Sequence, residues 1–355
     1  MDPITQGVLG ATAAQLAPMP ALATDRSSER SAEAPAKERS KPLLVAGLVG
    51  AFAGMAPDID VLIQSSTDPL LFLEYHRQFT HSLVFIPVGA GLCALLLYLA
   101  PFVRRQLQPA PLYLLCLAGY ATHALLDACT SYGTMLWWPF SNARIAWNNV
   151  AVVDPAFTLP AILLVLLAAT KQRRVFAVIA LAWMIGYLLL GVVQRDRALQ
   201  VGRELIASRG HTPSRVEVKP SFGNLLLWKL VYDQADHYYV DAIRVATTTT
   251  VFPGERAPKL DLTRHFQWLA PNSQQARDIE RFRWFSDDFL AIDPHHQNSI
   301  VDVRYSMLPD EIRGLWSIKL FPGANADAHV DFLTFRDLPA QRRQKFFNML
   351  LPPKS

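Results

Sequence analysis

Long apolar runs crowd into the first 195 residues of this 355-residue chain, at 43–57, 82–100, 111–126, 155–170 and 175–193. About 20 helical residues, rising 1.5 Å each, cover the roughly 30 Å of a bilayer's hydrocarbon. Residues 82–100 and 175–193 carry no charge and are long enough to cross. The runs at 43–57 and 111–126 are shorter and would need tilt or flanking residues. The hydrophobic share of 51% exceeds what a soluble core requires, and the excess stops at Gln194. The expected fold is therefore a membrane α-helical half, residues 1–194, with about four to six hydrophobic helices. A soluble β-rich α+β domain, residues 195–355, should follow it. The opening MDPITQGVLGA has no basic n-region of a signal peptide and reads as a first membrane-associated helix, with Gly7 and Gly10 allowing close helix contact.

Loop charge sets the expected orientation, because short cytoplasmic loops are enriched in Lys and Arg. Arg26, Arg30, Lys37, Arg39 and Lys41 fall in one connection, Arg104 and Arg105 in another, and Lys171, Arg173 and Arg174 in a third. The alternating loops, 58–81 and 128–154, hold only Arg77 and Arg144. This pattern places the second set of loops and the C-terminal domain on the extracytoplasmic side. The loop at 24–42, rich in Ser, Ala and Glu, reads as a flexible connection. The net charge of +4 comes with no basic and aromatic interleaving, so nucleic acid is not an expected partner. Cys93, Cys116 and Cys129 sit in or at the end of apolar runs and form neither a disulfide framework nor a CxxC site.

The polar chemistry gathers at one set of helix ends. PDID supplies Asp58 and Asp60, HRQFTHS supplies His76, Arg77 and His81, HALLD supplies His123 and Asp127, and Asp154 precedes the fourth run. By the loop charges alone, all of these lie on the extracytoplasmic side. His123 and Asp127, four residues apart, share one face of a helix. Imidazole and carboxylate suit Zn²⁺, with Mn²⁺ or Fe²⁺ as alternatives. Taken singly, each residue has a plainer explanation: a helix-end His is commonly satisfied locally, and Asp58 or Asp60 after Pro57 fits a turn. Together they carry more weight, since ionisable groups at membrane depth are costly and usually functional. Trp137, Trp138 and Trp147, with Tyr132 and Phe140, read as an interfacial aromatic belt, with a lid over the cluster as the alternative.

MDPITQGVLGA, APDIDVL, HRQFTHS and HALLDACTSYGTMLWWPFS, in that order, resemble the YdjM-like family of membrane-bound metal-dependent hydrolases over roughly residues 1–195. The order Asp, His, HxxxD is also similar to that of the zinc phospholipase C and single-strand nuclease superfamily. The resemblance implies a bacterial inner-membrane protein and a metal site formed by Asp58 or Asp60, His81, His123 and Asp127. It gives His76 and Arg77 a place in catalysis, as holders of a second metal, a phosphate or a leaving group; Asp58 or Asp60, where it is not itself a ligand, would be the base that orients the attacking water. Many relatives carry His where this chain has Gln6, and an amide is a poor zinc ligand, so one or two metals are expected rather than three. Position at the bilayer rim points to membrane lipid as a partner and to a phosphoester or lipid-linked substrate. The alternative is a non-catalytic membrane protein with a structural metal site or a partner-binding soluble domain. An ion path would want mid-membrane ionisable groups and an internal repeat, and the sequence offers neither.

In the soluble half, HYYVDAIRVATTTTVF, SIVDVRYSML, GLWSIKLF and HVDFLTF read as strands, and PNSQQARDIERFRWF as a helix. His295 and His296 read as loop residues outside the site.

Overall fold

A computed structural model describes residues 1–18 and 41–351; the connection expected at 24–42 falls, apart from Lys41 and Pro42, outside them. The helices run α1 (Pro3–Leu16), α2 (Pro42–Met55), α3 (Leu71–Tyr75), α4 (Ile86–Tyr98), α5 (Pro101–Gln106), α6 (Pro109–Cys129), α7 (Pro155–Lys171) and α8 (Arg174–Ser208). Proline opens α1, α2, α4, α5, α6 and α7, where its missing N–H has no partner to lose. Asp2 caps α1 by accepting from Thr5 N at 3.0 Å, and Asp154 caps α7 by accepting from Ala156 N and Phe157 N.

Among the described residues, three helical stretches are long and apolar enough to cross a membrane: Pro42–Leu62, Pro109–Cys129 and Arg174–Ser208. A fourth exists only if the bent pair Leu71–His81 and Leu83–Tyr98 is one span. The run at 82–100, long enough in sequence to cross, is not one straight helix, whereas the shorter run at 111–126 lies within an unbroken one. Ser82 is extended (φ −77°, ψ 148°) and Pro87 sits in the first turn, so α4 begins only at Ile86. Its 13 residues rise about 20 Å, short of the hydrocarbon thickness. By contrast, Pro109–Cys129 runs as 21 unbroken residues because the polar Thr122, His123 and Asp127 continue the helix rather than end it.

The described chain divides into two compact units, Met1–Asp60 with Arg77–Trp147 and Val152–Leu190, and Val61–His76 with Asn148–Ala151 and Gly191–Ser355. The segments 61–76 and 148–151 thus belong with the C-terminal unit rather than the helical one.

In the helical unit, small residues let backbones touch. A Cβ on Gly119 of α6 would lie 2.4 Å from Gly50 O of α2, and one on Gly10 of α1 would lie 2.4 Å from that same oxygen. Three helices therefore meet at Gly50, the close approach that small residues permit between membrane helices. Ala14, Ala46, Ala53, Leu112, Leu115 and Cys116 fill the contact.

The second unit carries two antiparallel sheets. The first has the order β1 (Val216–Pro220), β2 (Leu227–Gln234), β3 (His237–Val245), β4 (Thr249–Pro258). Then come α9 (Leu262–His265) and α10 (Gln274–Phe285), the second sheet in the order β5 (Leu290–Ile292), β6 (Ser299–Asp302), β7 (Trp316–Lys319), β8 (Asp331–Thr334), and α11 (Ala340–Leu350). Val231, Tyr238 and Val240 of one sheet share a core with Ala291 and Val301 of the other and with Val303 just after β6. His295 and His296 lie between β5 and β6, where Asp293 Oδ2 is 3.0 Å from His296 Nδ1.

Candidate metal centre

The close contact at Gly50 brings the C-terminal end of α2 against α6. There Gly54 O lies 2.6 Å from His123 Nδ1, and Asp58 follows in the 3₁₀ turn Ala56–Leu62. His81 arrives on the 3₁₀ turn Phe79–His81, which Tyr120 of α6 anchors by donating its hydroxyl to Thr80 O at 2.8 Å. Asp58, His81, His123 and Asp127 each offer one donor atom, and these atoms all lie within 4.8 Å of one another. His81, His123 and Asp127 are buried, while the Asp58 side chain keeps 17% of its surface exposed.

The tautomers follow from the partners. His123 Nδ1 faces a carbonyl, which can only accept, so Nδ1 carries the proton and Nε2 a lone pair. Thr80 donates its hydroxyl to Asp60 Oδ2 at 2.8 Å, leaving only acceptors, Thr80 Oγ1 at 3.0 Å and Asp60 Oδ2 at 3.2 Å, around His81 Nδ1. With its proton on Nδ1, His81 would present Nε2 as a lone pair beside that of His123. The two Nε2 atoms face each other at 2.9 Å, with Asp58 Oδ1 at 3.5 and 3.4 Å from them and Asp127 Oδ2 at 3.4 and 3.8 Å. In that tautomer two lone pairs and two carboxylate oxygens converge on one point, where a cation can lie among them. Donors about 2.0–2.1 Å from a tetrahedral ion stand about 3.3–3.4 Å apart, close to most of these spacings. The donor set fits a divalent ion.

The surroundings brace the donors. Asp127 Oδ1 accepts from Gln6 Nε2 at 2.8 Å and pairs with the Met1 amine. Arg77 Nε stands 3.0 Å from Asp127 Oδ2 but off the N–H direction, so that oxygen has no aligned donor. Arg77 Nη1 donates to Thr130 Oγ1 at 3.1 Å, and the guanidinium lies over Tyr132. Arg77 adopts φ 65°, in the left-handed region that non-glycine residues seldom occupy, and its N–H reaches Asp60 Oδ2 at 2.9 Å.

Of the residues singled out from the sequence, Asp58, His81, His123 and Asp127 share one centre, and Asp60 stands behind His81. Arg77 is buried against Asp127. His76 follows α3 in the other unit, its N–H bonded to Phe72 O at 2.9 Å. Asp154 is taken up by the α7 cap and by Tyr187, whose hydroxyl donates to it at 2.9 Å. Sequence reasoning missed Tyr120, Thr80 and the Gly54 carbonyl. Of these only Tyr120 left a trace, one turn before His123 on the same face of α6. Trp137, Phe140 and Trp147 are exposed, while Trp138 and Tyr132 are half-buried.

No curated protein and no solved structure matches this chain. A family model described as YdjM inner membrane protein matches residues 1–198, more than half of the chain. With its apolar spans and its cluster of possible metal ligands on the matched segment, the chain belongs to the YdjM inner membrane protein family.

Proposed function

We propose that this protein is a membrane-bound metal-dependent hydrolase of phosphoester or lipid-linked substrates, working at the extracytoplasmic face with one divalent ion, most simply zinc. The observation that carries the reading is the convergence of two imidazole Nε2 atoms, 2.9 Å apart, with two carboxylate oxygens. Asp58, His81, His123 and Asp127 would hold the ion. When bound, a divalent ion polarises a phosphoryl or ester oxygen and brings the pKa of water from about 15.7 towards about 7.

The chain's own residues divide the remaining work. Asp60 fixes the His81 ring through Nδ1 and is a positioning residue, the carboxylate–histidine pairing that orients metal ligands. Arg77, buried against Asp127, holds that carboxylate in place rather than meeting solvent. Asp127 Oδ1 accepts from Gln6, which leaves Oδ2 to face the ion. Asp58, the one donor of the four that keeps some exposure, marks the side from which substrate enters.

A second reading has its own support. Four protein donors at near-tetrahedral spacing resemble a closed structural site, whereas a catalytic zinc usually keeps three protein ligands and an open position. The deciding experiment compares wild type with His123→Ala for bound metal, thermal stability in detergent, and hydrolysis of phosphoester and ester substrates. Joint loss of metal and activity with the fold retained supports the hydrolase. A large stability loss that tracks the metal, with no hydrolysis by wild type, supports the structural site, because metal-binding energy is then folding energy.

A further inference from the structure

The second unit presents exposed apolar side chains at one end of its first sheet. α8 stays apolar on its exposed surface through Val193 and then turns polar at Gln194, Arg195, Asp196 and Arg197, so its apolar surface ends at about Gln194. Gln194 is buried and its amide donates to Leu225 O at 3.1 Å and to Val245 O at 2.8 Å. Arg197 donates to Ala246 O at 2.9 Å. The β1–β2 turn and the end of β3 are thereby tied to the helix where it leaves the hydrocarbon.

That turn carries Phe222 and Leu226, 56% and 40% exposed. It is a built turn, with Asn224 Oδ1 accepting from Leu226 N and Leu227 N, at 2.9 and 2.7 Å. α11 reaches the same end. Arg244, the neighbour of Val245 in β3, donates to Leu351 O at 2.7 Å. Phe346 and Met349 of α11 pack on Leu227, Ala242 and Leu308, while Phe347 and Leu351 remain 50% and 55% exposed. Arg343, Phe347 and Leu351 follow at four-residue steps and form one stripe, basic at one end and apolar at the other, the pattern of a helix lying in a membrane interface.

We propose that Phe222, Leu226, Phe347 and Leu351 form a membrane-seating surface that enters the interface of the very leaflet from which α8 emerges. The occupant is lipid because the turn that carries Phe222 and Leu226 is hydrogen-bonded to Gln194, directly after exposed Val193, where the apolar surface of α8 ends. Aromatic and aliphatic side chains partition into that interface, and Arg343 matches its phosphates. This inference does not depend on the metal centre or on hydrolysis.

The test is hydroxyl-radical footprinting of the full wild-type chain, one copy per nanodisc of phosphatidylethanolamine and phosphatidylglycerol, beside the same protein in detergent diluted until it is monomeric. Phe222 and Phe347 should be oxidised about tenfold more slowly in the nanodisc than exposed Trp284 of α10, as follows from burying a Phe side chain. Spin labels at Phe222→Cys and Phe347→Cys should meet oxygen more often than a water-soluble nickel complex, and a label at Glu280→Cys the reverse. Equal oxidation of Phe222, Phe347 and Trp284 in single-copy nanodiscs overturns the proposal. So does protection seen only when two copies share a disc, which would make the patch a contact between chains.

Discussion

Replacing Gly119 by Ala changes no donor atom, yet it should weaken metal binding at the candidate centre. The new Cβ would meet Gly50 O at 2.4 Å and Gly50 Cα at 2.9 Å, backbone atoms that cannot rotate away. Restoring an ordinary contact of about 3.4 Å moves α6 from α2 by about 1 Å. His123 lies one turn beyond Gly119, and its Nδ1 bond to Gly54 O would lengthen from 2.6 to about 3.6 Å, past the limit of a hydrogen bond. Metal sites tolerate ligand errors of about 0.2 Å, and losing one supporting hydrogen bond alone typically costs 10–100-fold in affinity. We expect a loss of about 100-fold or more, with about 1–3 kcal/mol of overpacking. The assay is zinc competition against a chromophoric chelator in detergent, with circular dichroism to establish that the helices persist. Gly186→Ala on α8, where a Cβ meets nothing within 4 Å, is the control and should leave affinity unchanged. A folded Gly119→Ala that binds zinc within about threefold of wild type would refute the reasoning.

Asp60→Asn should weaken zinc binding about 10–100-fold without unfolding the helices, since it removes the anionic partner of His81 Nδ1; calorimetric titration checks it, and unchanged affinity would remove Asp60 from the centre. Cysteines at Ser31 and at exposed Glu280, with the native Cys93, Cys116 and Cys129 buried, should differ toward an impermeant reagent in intact cells: Glu280→Cys labels and Ser31→Cys does not. The reverse pattern would put the candidate centre on the cytoplasmic side. In the β-rich domain, burial pushes the Lys229 ammonium down to about 7. The unfolded chain then binds more protons between about pH 7 and pH 10.5, so this group's penalty is full below pH 7 and lifts as pH rises through that window, by at most about 1.4 kcal/mol per unit. Relative to Lys229→Met, wild type should therefore gain stability from pH 7.5 to 9 in urea melts of the domain signal, and parallel stabilities across that range would count against it.

The sequence by itself determined the division of labour along the chain. Apolar runs ending at Gln194 dictate a membrane half, because hydrocarbon accepts only segments that satisfy their own backbone. The four-residue step from His123 to Asp127 places both on one helix face whatever surrounds them. The β-branched and aromatic runs at 237–252 and 316–320 fall on strands β3, β4 and β7, since such side chains suit a pleated, half-buried surface. Strands β1 and β2 were not legible: Val216–Pro220 ends in proline, and Leu227–Gln234 buries nearly all its side chains, so no alternation marks it.

Tertiary structure decided which acid meets the histidines. Asp58 and Asp60 are two residues apart in the same short stretch, and only the turn Ala56–Leu62, held by the meeting of backbones at Gly50, points one at both Nε2 atoms and the other at His81 Nδ1. The role of Arg77 was hidden for the same reason. Its partner Asp127 is 50 residues away, and a guanidinium at a membrane edge looks alike in sequence whether it meets solvent or a buried carboxylate. Local spacing fixes what one helix presents. Distances between helices depend on which glycines touch, and that is a property of the packed bundle alone.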